Sequence, residues 1–125
     1  MSTLTKVLEK NVAEIEKNAD MTEGRFRLGH HLMPPMGWLN DPNGLCWYKG
    51  RYHVFFQYAP FDVEGGLKFW GHYTSEDLVD WKYEGTALYP DSPYDCHGVY
   101  SGSAFTEHGK MHLFFTGNVK IDGDY

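Results

Sequence analysis

The chain has 125 residues, of which 42% are hydrophobic and 17% aromatic, and its formal net charge at pH 7 is −6. This length allows one domain with a modest core, and the apolar content excludes a largely disordered chain. The negative charge, without a basic stripe, excludes nucleic acid as a predicted partner. The two cysteines lack Cys-x-x-Cys spacing, which argues against a zinc knuckle or a redox pair.

Residues 1–24 are predicted to form an amphipathic helix followed by a linker. The helix is expected over residues 3–19, where apolar residues recur with helical spacing at Leu4, Val7, Leu8, Val12 and Ile15. Either Ser2 or Thr3 is placed to cap its start. Because a single helix of this length is marginally stable in water, its apolar stripe is expected to pack on the rest of the protein.

No segment has the apolar length of a membrane span, and the first residues lack the apolar run of a secretory signal peptide. The sequence therefore predicts a cytoplasmic protein without a membrane partner. It makes no prediction of the oligomeric state.

From residue 25 onward the chain has the pattern of short strands and turns. Apolar and aromatic runs alternate with Gly, Pro, Asn and Asp. Lys49-Gly50 is predicted to be a two-residue hairpin turn. The predicted strands cover residues 45–48, 51–58, 69–75, 81–88, 99–105 and 110–116.

An internal echo indicates a repeated structural unit. Residues 50–56 (GRYHVFF) recur as residues 109–115 (GKMHLFF), an offset of 59 residues. A four-stranded unit repeating at about this length suggests the blade of a β-propeller, although two similar hairpins in a β-sandwich would give the same echo. In both copies the histidine is expected to pack between sheets, and the two phenylalanines to form core on one face and inter-blade packing on the other.

The segment Trp38-Leu39-Asn40-Asp41-Pro42-Asn43-Gly44, just before the first predicted strand, is the strongest candidate for a functional site. Asp-Pro-Asn-Gly alone is a good turn. Its flanking residues add chemistry, because Trp38 can form a wall for a sugar ring and Asn40 can bind hydroxyl groups. Asp41 would then be a carboxylate held on a rigid backbone, as a nucleophile requires.

The stretch His31–Leu45 resembles the signature of glycoside hydrolase family 32, which includes invertases and bacterial sucrose-6-phosphate hydrolases. Further matching strings follow in order at residues 56–58, 69–72, 77–81, 87–90 and 98–104. The resemblance implies an all-β protein, in which residues 25–125 form an incomplete N-terminal part of a catalytic domain. That part would be the first blade and part of the second of a five-bladed β-propeller, preceded by the N-terminal amphipathic helix.

The resemblance also implies roles for individual residues. Asp41 matches the nucleophile that attacks the anomeric carbon of a β-linked fructofuranosyl unit. The matching substrate-binding positions are Trp38, Leu39, Asn40, Gln57, Trp70, Tyr100 and Ser101, and for Trp70 a structural role stays open. Family members often carry a further pocket tryptophan where Gly65 and Gly66 stand here, so the shape of the leaving-group side is not predicted.

A retaining glycosidase needs a second carboxyl group as acid and base. In the family this glutamate lies in a Glu-Cys motif, and a third carboxylate lies in an Arg-Asp motif; neither motif occurs in residues 1–125. Glu76, Asp77 and Glu84 are expected to be solvated. The chain alone is therefore predicted to be inactive.

The sequence thus predicts retaining hydrolysis of β-fructofuranosides, with sucrose or sucrose 6-phosphate as the saccharide partner. Two alternatives are a non-catalytic carbohydrate-binding module and an inverting arabinan-type hydrolase. The seven histidines are scattered, so no metal is predicted, and no cofactor is expected. No basic residues for a substrate phosphate can be assigned from the sequence.

Overall fold

The computed structural model describes residues 2–19, 27–28 and 30–122. The linker predicted at the end of residues 1–24 lies largely outside the described residues. One helix and six strands follow in chain order: α1 (Thr3–Ala19), β1 (Trp38–Tyr48), β2 (Arg51–Ala59), β3 (Phe69–Ser75), β4 (Trp81–Leu88), β5 (Val99–Glu107) and β6 (Lys110–Gly117). The α1 helix is not long and apolar enough to cross a membrane, and no other helix is present in the described ranges.

The strands form two antiparallel sheets. The first has four strands in the order β1-β2-β3-β4, and the second consists of β5 and β6. The turn Lys49-Gly50 has positive φ at both residues (48° and 78°), and so does His108-Gly109 (50° and 72°). Two positive φ values are typical of the type I′ hairpin. The two copies of the sequence echo therefore occupy equivalent places, each the second strand of a tight hairpin.

The signature segment lies inside β1, not before the first strand as predicted from the sequence. β1 pairs with β2 from Trp38 onward, but the register shifts between Leu39 and Pro42 and again between Asn43 and Cys46. A proline cannot donate to the ladder, and strand prolines sit at edges or bulges for this reason. Asp-Pro-Asn-Gly thus makes the strand irregular without reversing the chain.

The first sheet has an apolar core on each face. Because successive strand residues point to opposite faces, Phe56 and Tyr58 pack towards α1, whereas Phe55 packs towards the second sheet. Phe55 and Phe56 are both 2% exposed. The predicted division of these two phenylalanines between two faces is confirmed.

The second copy of the echo is more exposed than the first. His112, which was predicted to pack between sheets, is exposed, and that prediction is wrong. Phe114 is 60% and Phe115 40% exposed. The physical reason is that β6 has β5 as its ladder partner and, in the described part of the chain, no further strand pairs with it.

Helix α1 docks on the first sheet as predicted, through Val12 and Leu8, but Leu4 and Val7 of the predicted stripe are exposed. Its start is capped by Ser2, whose Oγ accepts a hydrogen bond from the Thr5 backbone N–H at 3.0 Å. Val12 is 2% exposed and packs in the core with Phe56 and Tyr58. The Tyr83 hydroxyl donates to Glu16 Oε1 at 2.6 Å, which ties the helix to β4.

Val12→Ala is expected to lower the free energy of unfolding by on the order of 2 kcal/mol, because it removes buried methyl groups. The matched control is Val7→Ala on the same helix, where the side chain is 50% exposed. Both changes alter helix propensity equally, so the difference between their urea unfolding midpoints measures burial. Equal midpoints would contradict the docking of α1.

Candidate active site

Asp41 and Ser101 meet at the junction of the two sheets. The Ser101 hydroxyl donates to Asp41 Oδ2 at 2.6 Å, although the two residues are 60 positions apart in the chain. Asp41 is exposed, whereas Ser101 is partly buried. An O–H···O⁻ bond of this length is charge-assisted and fixes the rotamer of the carboxylate.

Asn43 holds the backbone of this junction in place. It is 3% exposed. Its Nδ2 donates to the Asp41 carbonyl at 2.9 Å, and its Oδ1 accepts from the Gly102 backbone N–H at 2.9 Å. The side chain therefore bridges β1 and β5 directly beside the Asp41–Ser101 contact. The sequence predicted Asn43 only as a turn residue, because its contact with Gly102 joins residues 59 positions apart in the chain.

Trp38 and Tyr100 line a common pocket of about 400 Å³. Lys68 lies between their rings, with Nζ 5.3 Å from the Trp38 ring centroid and 5.2 Å from that of Tyr100. These are cation–π distances. A pocket with two aromatic walls suits a ligand that has apolar faces and polar edges, as sugars have.

The other predicted site residues lie next to Asp41 or in the core behind the pocket. Asn40 is exposed next to Asp41, while Leu39 is partly buried and packs against the core under α1. Gln57 is 4% exposed and pairs with Trp70 across β2 and β3. Trp70 is 0% exposed, and its Nε1 donates to the Tyr100 carbonyl at 3.1 Å. Trp70 thus contacts the site from the core side.

The carboxylates of the β3–β4 hairpin have other partners. Glu76 pairs with Arg51 at 2.6 Å, and Glu84 pairs with Lys82 at 2.9 Å. Asp77 accepts hydrogen bonds from the backbone of Val79 and Asp80, which hold its pKa below the ordinary value. All three are exposed, as predicted.

Outside the candidate site, the structure contains a second pocket and two cysteine thiols. The second pocket, of about 520 Å³, is lined by residues 78–81, Tyr73 and part of residues 27–33, and contains none of the predicted site residues. Within the described ranges, no group of three His, Cys, Asp or Glu side chains could hold a metal ion. Cys46 and Cys96 are both free thiols.

Two histidines on the neighbouring strands β2 and β3 form a hydrogen-bonded pair. His53 Nδ1 lies 2.9 Å from His72 Nε2, and His53 Nε2 donates to the Tyr48 carbonyl at 3.1 Å. Since a carbonyl only accepts, neutral His53 carries its proton on Nε2, and His72 donates to Nδ1. Burial, and to a smaller extent the neighbouring His53, lower the pKa of His72 from 6.5 to about 4, and Glu84 opposes both effects. His72 is therefore neutral at pH 7.

The chain matches the family model described as Glycosyl hydrolases family 32 N-terminal domain over residues 31–124. A sucrose-6-phosphate hydrolase of Bacillus subtilis is 51% identical over 86% of this chain and 22% of its own length. The solved structure of sucrose-6-phosphate hydrolase from Lactobacillus gasseri superimposes with a TM-score of 0.79 and 40% identity, covering 93% of this chain and 23% of that one. A Bombyx mori beta-fructofuranosidase superimposes with a TM-score of 0.83 and 35% identity, covering 94% of this chain and 25% of that one.

These neighbours are β-propeller enzymes, so the mostly antiparallel β structure described above has the architecture of propeller blades. The chain belongs to glycosyl hydrolase family 32 and covers only an N-terminal portion of such an enzyme. It spans about a fifth of the length of the curated relatives it matches. The predicted family and fold class are confirmed.

Asn43→Ala is expected to lower the free energy of unfolding by about 1–3 kcal/mol, because the Asp41 carbonyl and the Gly102 N–H lose a buried partner. Asn40→Ala, on the same strand but exposed, is the matched control and is expected to change it by no more than about 0.5 kcal/mol. Urea unfolding measures both. If the two variants unfold at the same midpoint, Asn43 does not bridge the sheets.

His72 is expected to remain neutral in NMR titrations down to a pH of about 4. In the unfolded chain the same group takes up a proton near pH 6.5, so stability falls as the pH is lowered from about 6.5 to about 4. His72→Phe should weaken this pH dependence, whereas His112→Phe, at an exposed position, should leave it unchanged. Protonation of His72 near pH 6.5 in the folded protein would contradict the buried pair.

Proposed function

We propose that this chain supplies the nucleophile for retaining hydrolysis of β-fructofuranosides, with sucrose or sucrose 6-phosphate as substrate. The single observation that supports it most strongly is the Ser101–Asp41 hydrogen bond at 2.6 Å, on a strand bulge that Asn43 ties to β5. The names of the relatives, sucrose-6-phosphate hydrolase and beta-fructofuranosidase, agree with this substrate class. A Bombyx mori beta-fructofuranosidase variant has also been solved in complex with sucrose.

In this proposal Asp41 attacks the anomeric carbon of the fructosyl unit. The bond from that carbon to the leaving oxygen breaks, an ester bond to Asp41 forms, and water later cleaves the ester. The Ser101 hydroxyl engages Oδ2 and so leaves Oδ1 for the attack. Trp38, Tyr100 and Asn40 would contact the sugar, while Leu39, Gln57 and Trp70 would hold those residues from the core side.

The second carboxyl group of the mechanism has to come from elsewhere. In retaining glycosidases it lies about 5–5.5 Å from the nucleophile and protonates the leaving oxygen. Glu76, Asp77 and Glu84 already hold the β3–β4 hairpin through an ion pair, turn hydrogen bonds and a second ion pair. We therefore place the acid/base outside residues 1–125 and assign the activity to a longer protein. Residues 25–125 would form the first part of its catalytic domain, preceded by a helix and linker in residues 1–24.

Asp41→Asn in the full-length protein is expected to lower kcat for fructose release from sucrose on the order of 10⁴-fold or more, because the variant lacks the attacking carboxylate. The matched control is Asp80→Asn, in the exposed turn before β4, which should retain the activity. Fructose release is followed by a coupled assay, and the covalent fructosyl ester by mass spectrometry of rapidly quenched enzyme.

The same experiments distinguish the proposed mechanism from an inverting hydrolase and from a carbohydrate-binding module. Substantial turnover by Asp41→Asn would refute the nucleophile. Product released with inverted configuration and without a trapped ester would indicate the inverting mechanism. Saccharide binding without any hydrolysis by the full-length protein would indicate a binding module.

A further inference from the structure

The pocket beside the candidate nucleophile has the features of an anion site. Its lining includes Trp38, Gly65, Lys68, His97 and Tyr100, and we call it the Lys68 pocket. Glu64 and Lys120 also line it. The lining thus contains two lysines, one histidine and one carboxylate, in a chain whose net charge is −6.

Lys68 is held at its base and presents its charge in the pocket. Its backbone carbonyl accepts from the Val99 N–H at 2.8 Å, which anchors the residue next to β5. Its Nζ donates to the Gly66 carbonyl at 3.2 Å and lies over the Trp38 and Tyr100 rings. Of the ion pairs among the described residues, none involves Lys68. Among the described residues the ammonium group therefore has no carboxylate within ion-pair distance, and it retains N–H donors for a ligand.

His97 supplies a second donor of known orientation. Its Nδ1 accepts from the Lys120 backbone N–H at 2.9 Å. A neutral imidazole carries one proton, so here the proton is on Nε2, which is a donor. Two donors from different segments, Lys68 and His97, thus belong to one pocket.

The loop opposite Trp38 leaves this pocket open. A Cβ placed on Gly65 would lie 3.7 Å from the indole ring of Trp38, in ordinary van der Waals contact. A larger side chain growing from that atom would extend into the pocket that Gly65 and Trp38 line together. Gly65 also has φ of 116°, a conformation that side-chain-bearing residues rarely adopt. Glycine at this position therefore leaves the Trp38 wall of the pocket uncovered.

The Lys68 pocket adjoins the candidate nucleophile along both strands. Trp38 precedes Asp41 by three residues in β1, and Tyr100 directly precedes Ser101 in β5. Even fully extended, three residues span no more than about 10 Å, which is comparable to the length of a disaccharide. A fructosyl group at Asp41 would place the leaving sugar towards the Lys68 pocket.

We propose that the Lys68 pocket binds the phosphate of a phosphorylated leaving sugar, with Lys68 and His97 as its ligands and Trp38 and Tyr100 against the sugar ring. This inference rests on the proposed function and deepens it, because it selects sucrose 6-phosphate over sucrose as the preferred substrate. A phosphate dianion on the sugar is the ligand chemistry that matches an unneutralised ammonium and a fixed N–H donor.

The experiment compares kcat/KM of the full-length protein for sucrose 6-phosphate and for sucrose. Lys68→Met is expected to lower kcat/KM for sucrose 6-phosphate about tenfold or more, chiefly through KM, because a charge-assisted hydrogen bond to the phosphate is lost. The value for sucrose should change by less than about twofold. Lys68→Arg, which keeps the charge, should retain part of the preference, and Lys110→Met, at an exposed position in β6, should change neither value.

Two kinetic results would overturn the proposal. Equal losses on both substrates would mean that Lys68 shapes the sugar site through its contacts with Trp38 and Tyr100. No loss on either substrate would mean that the ammonium group does not contact the phosphate.

A binding measurement separates this proposal from the assignment of Asp41. Isothermal titration of the full-length protein with glucose 6-phosphate, glucose and inorganic phosphate needs no turnover. Tighter binding of glucose 6-phosphate than of glucose, lost in Lys68→Met, supports the pocket even if Asp41→Asn keeps full activity and the proposed function fails. Turnover of sucrose without any preference for the phosphorylated ligands overturns the pocket and leaves the proposed function standing.

Discussion

The two hydrogen bonds between β1 and β5 are the contacts on which the candidate site depends. Asn43 accepts from Gly102, and Ser101 donates to Asp41. They join sheets that have no shared ladder, since β1 pairs with β2 and β5 pairs with β6. Side-chain contacts therefore position the carboxylate, and the apolar core of Phe55, Trp70 and Val99 keeps the two sheets at the distance those contacts need.

The irregular course of β1 allows these hydrogen bonds to β5. A regular strand would satisfy its backbone through β2 and would turn alternate side chains to each face. Pro42 cannot donate, and Gly44 has φ of 53°, so the ladder is interrupted on both sides of Asn43. The interruption frees the Asp41 carbonyl for Asn43, which is why a single amide both completes the hydrogen bonding of the bulge and fixes the residue beside it. The backbone irregularity that Asp-Pro-Asn-Gly produces is therefore also what positions Asp41.

Local features of the fold could be predicted from the sequence because each has a local cause. The helical spacing in residues 3–19 gave α1, and a basic residue and glycine between apolar runs gave the β1–β2 hairpin. Asp41 was also identifiable, because its flanking residues carry a family signature that extends over the chain. The bulge was missed, since a proline-glycine string predicts a chain reversal unless the pairing of the flanking residues is known.

Features that depend on distant residues could not be predicted in this way. The exposure of His112 depends on which strands lie beside β6, although its local sequence matches that of His53, which is partly buried in its pair with His72. Lys68 is a further case. Nothing in its immediate sequence indicates an anion site, because the rings on either side of its ammonium group come from residues 30 positions before and 32 positions after it. Only the packing of β1 against β5 brings them together.

The position of Lys68 also resolves an electrostatic conflict in the proposed complex. A phosphorylated substrate and a nucleophilic carboxylate are both anions, in a chain of net charge −6. At an effective dielectric constant of about 20, unit charges about 10 Å apart repel by roughly 1.7 kcal/mol, whereas an opposite pair about 4 Å apart attracts by roughly 4 kcal/mol. A lysine next to the phosphate therefore outweighs the repulsion from Asp41 about 10 Å away. The same lysine beside Asp41 would instead pair with the carboxylate and hold it away from the anomeric carbon. Because Trp38 and Asp41 are separated along β1, the ammonium group can bind the phosphate while the carboxylate stays available for the attack.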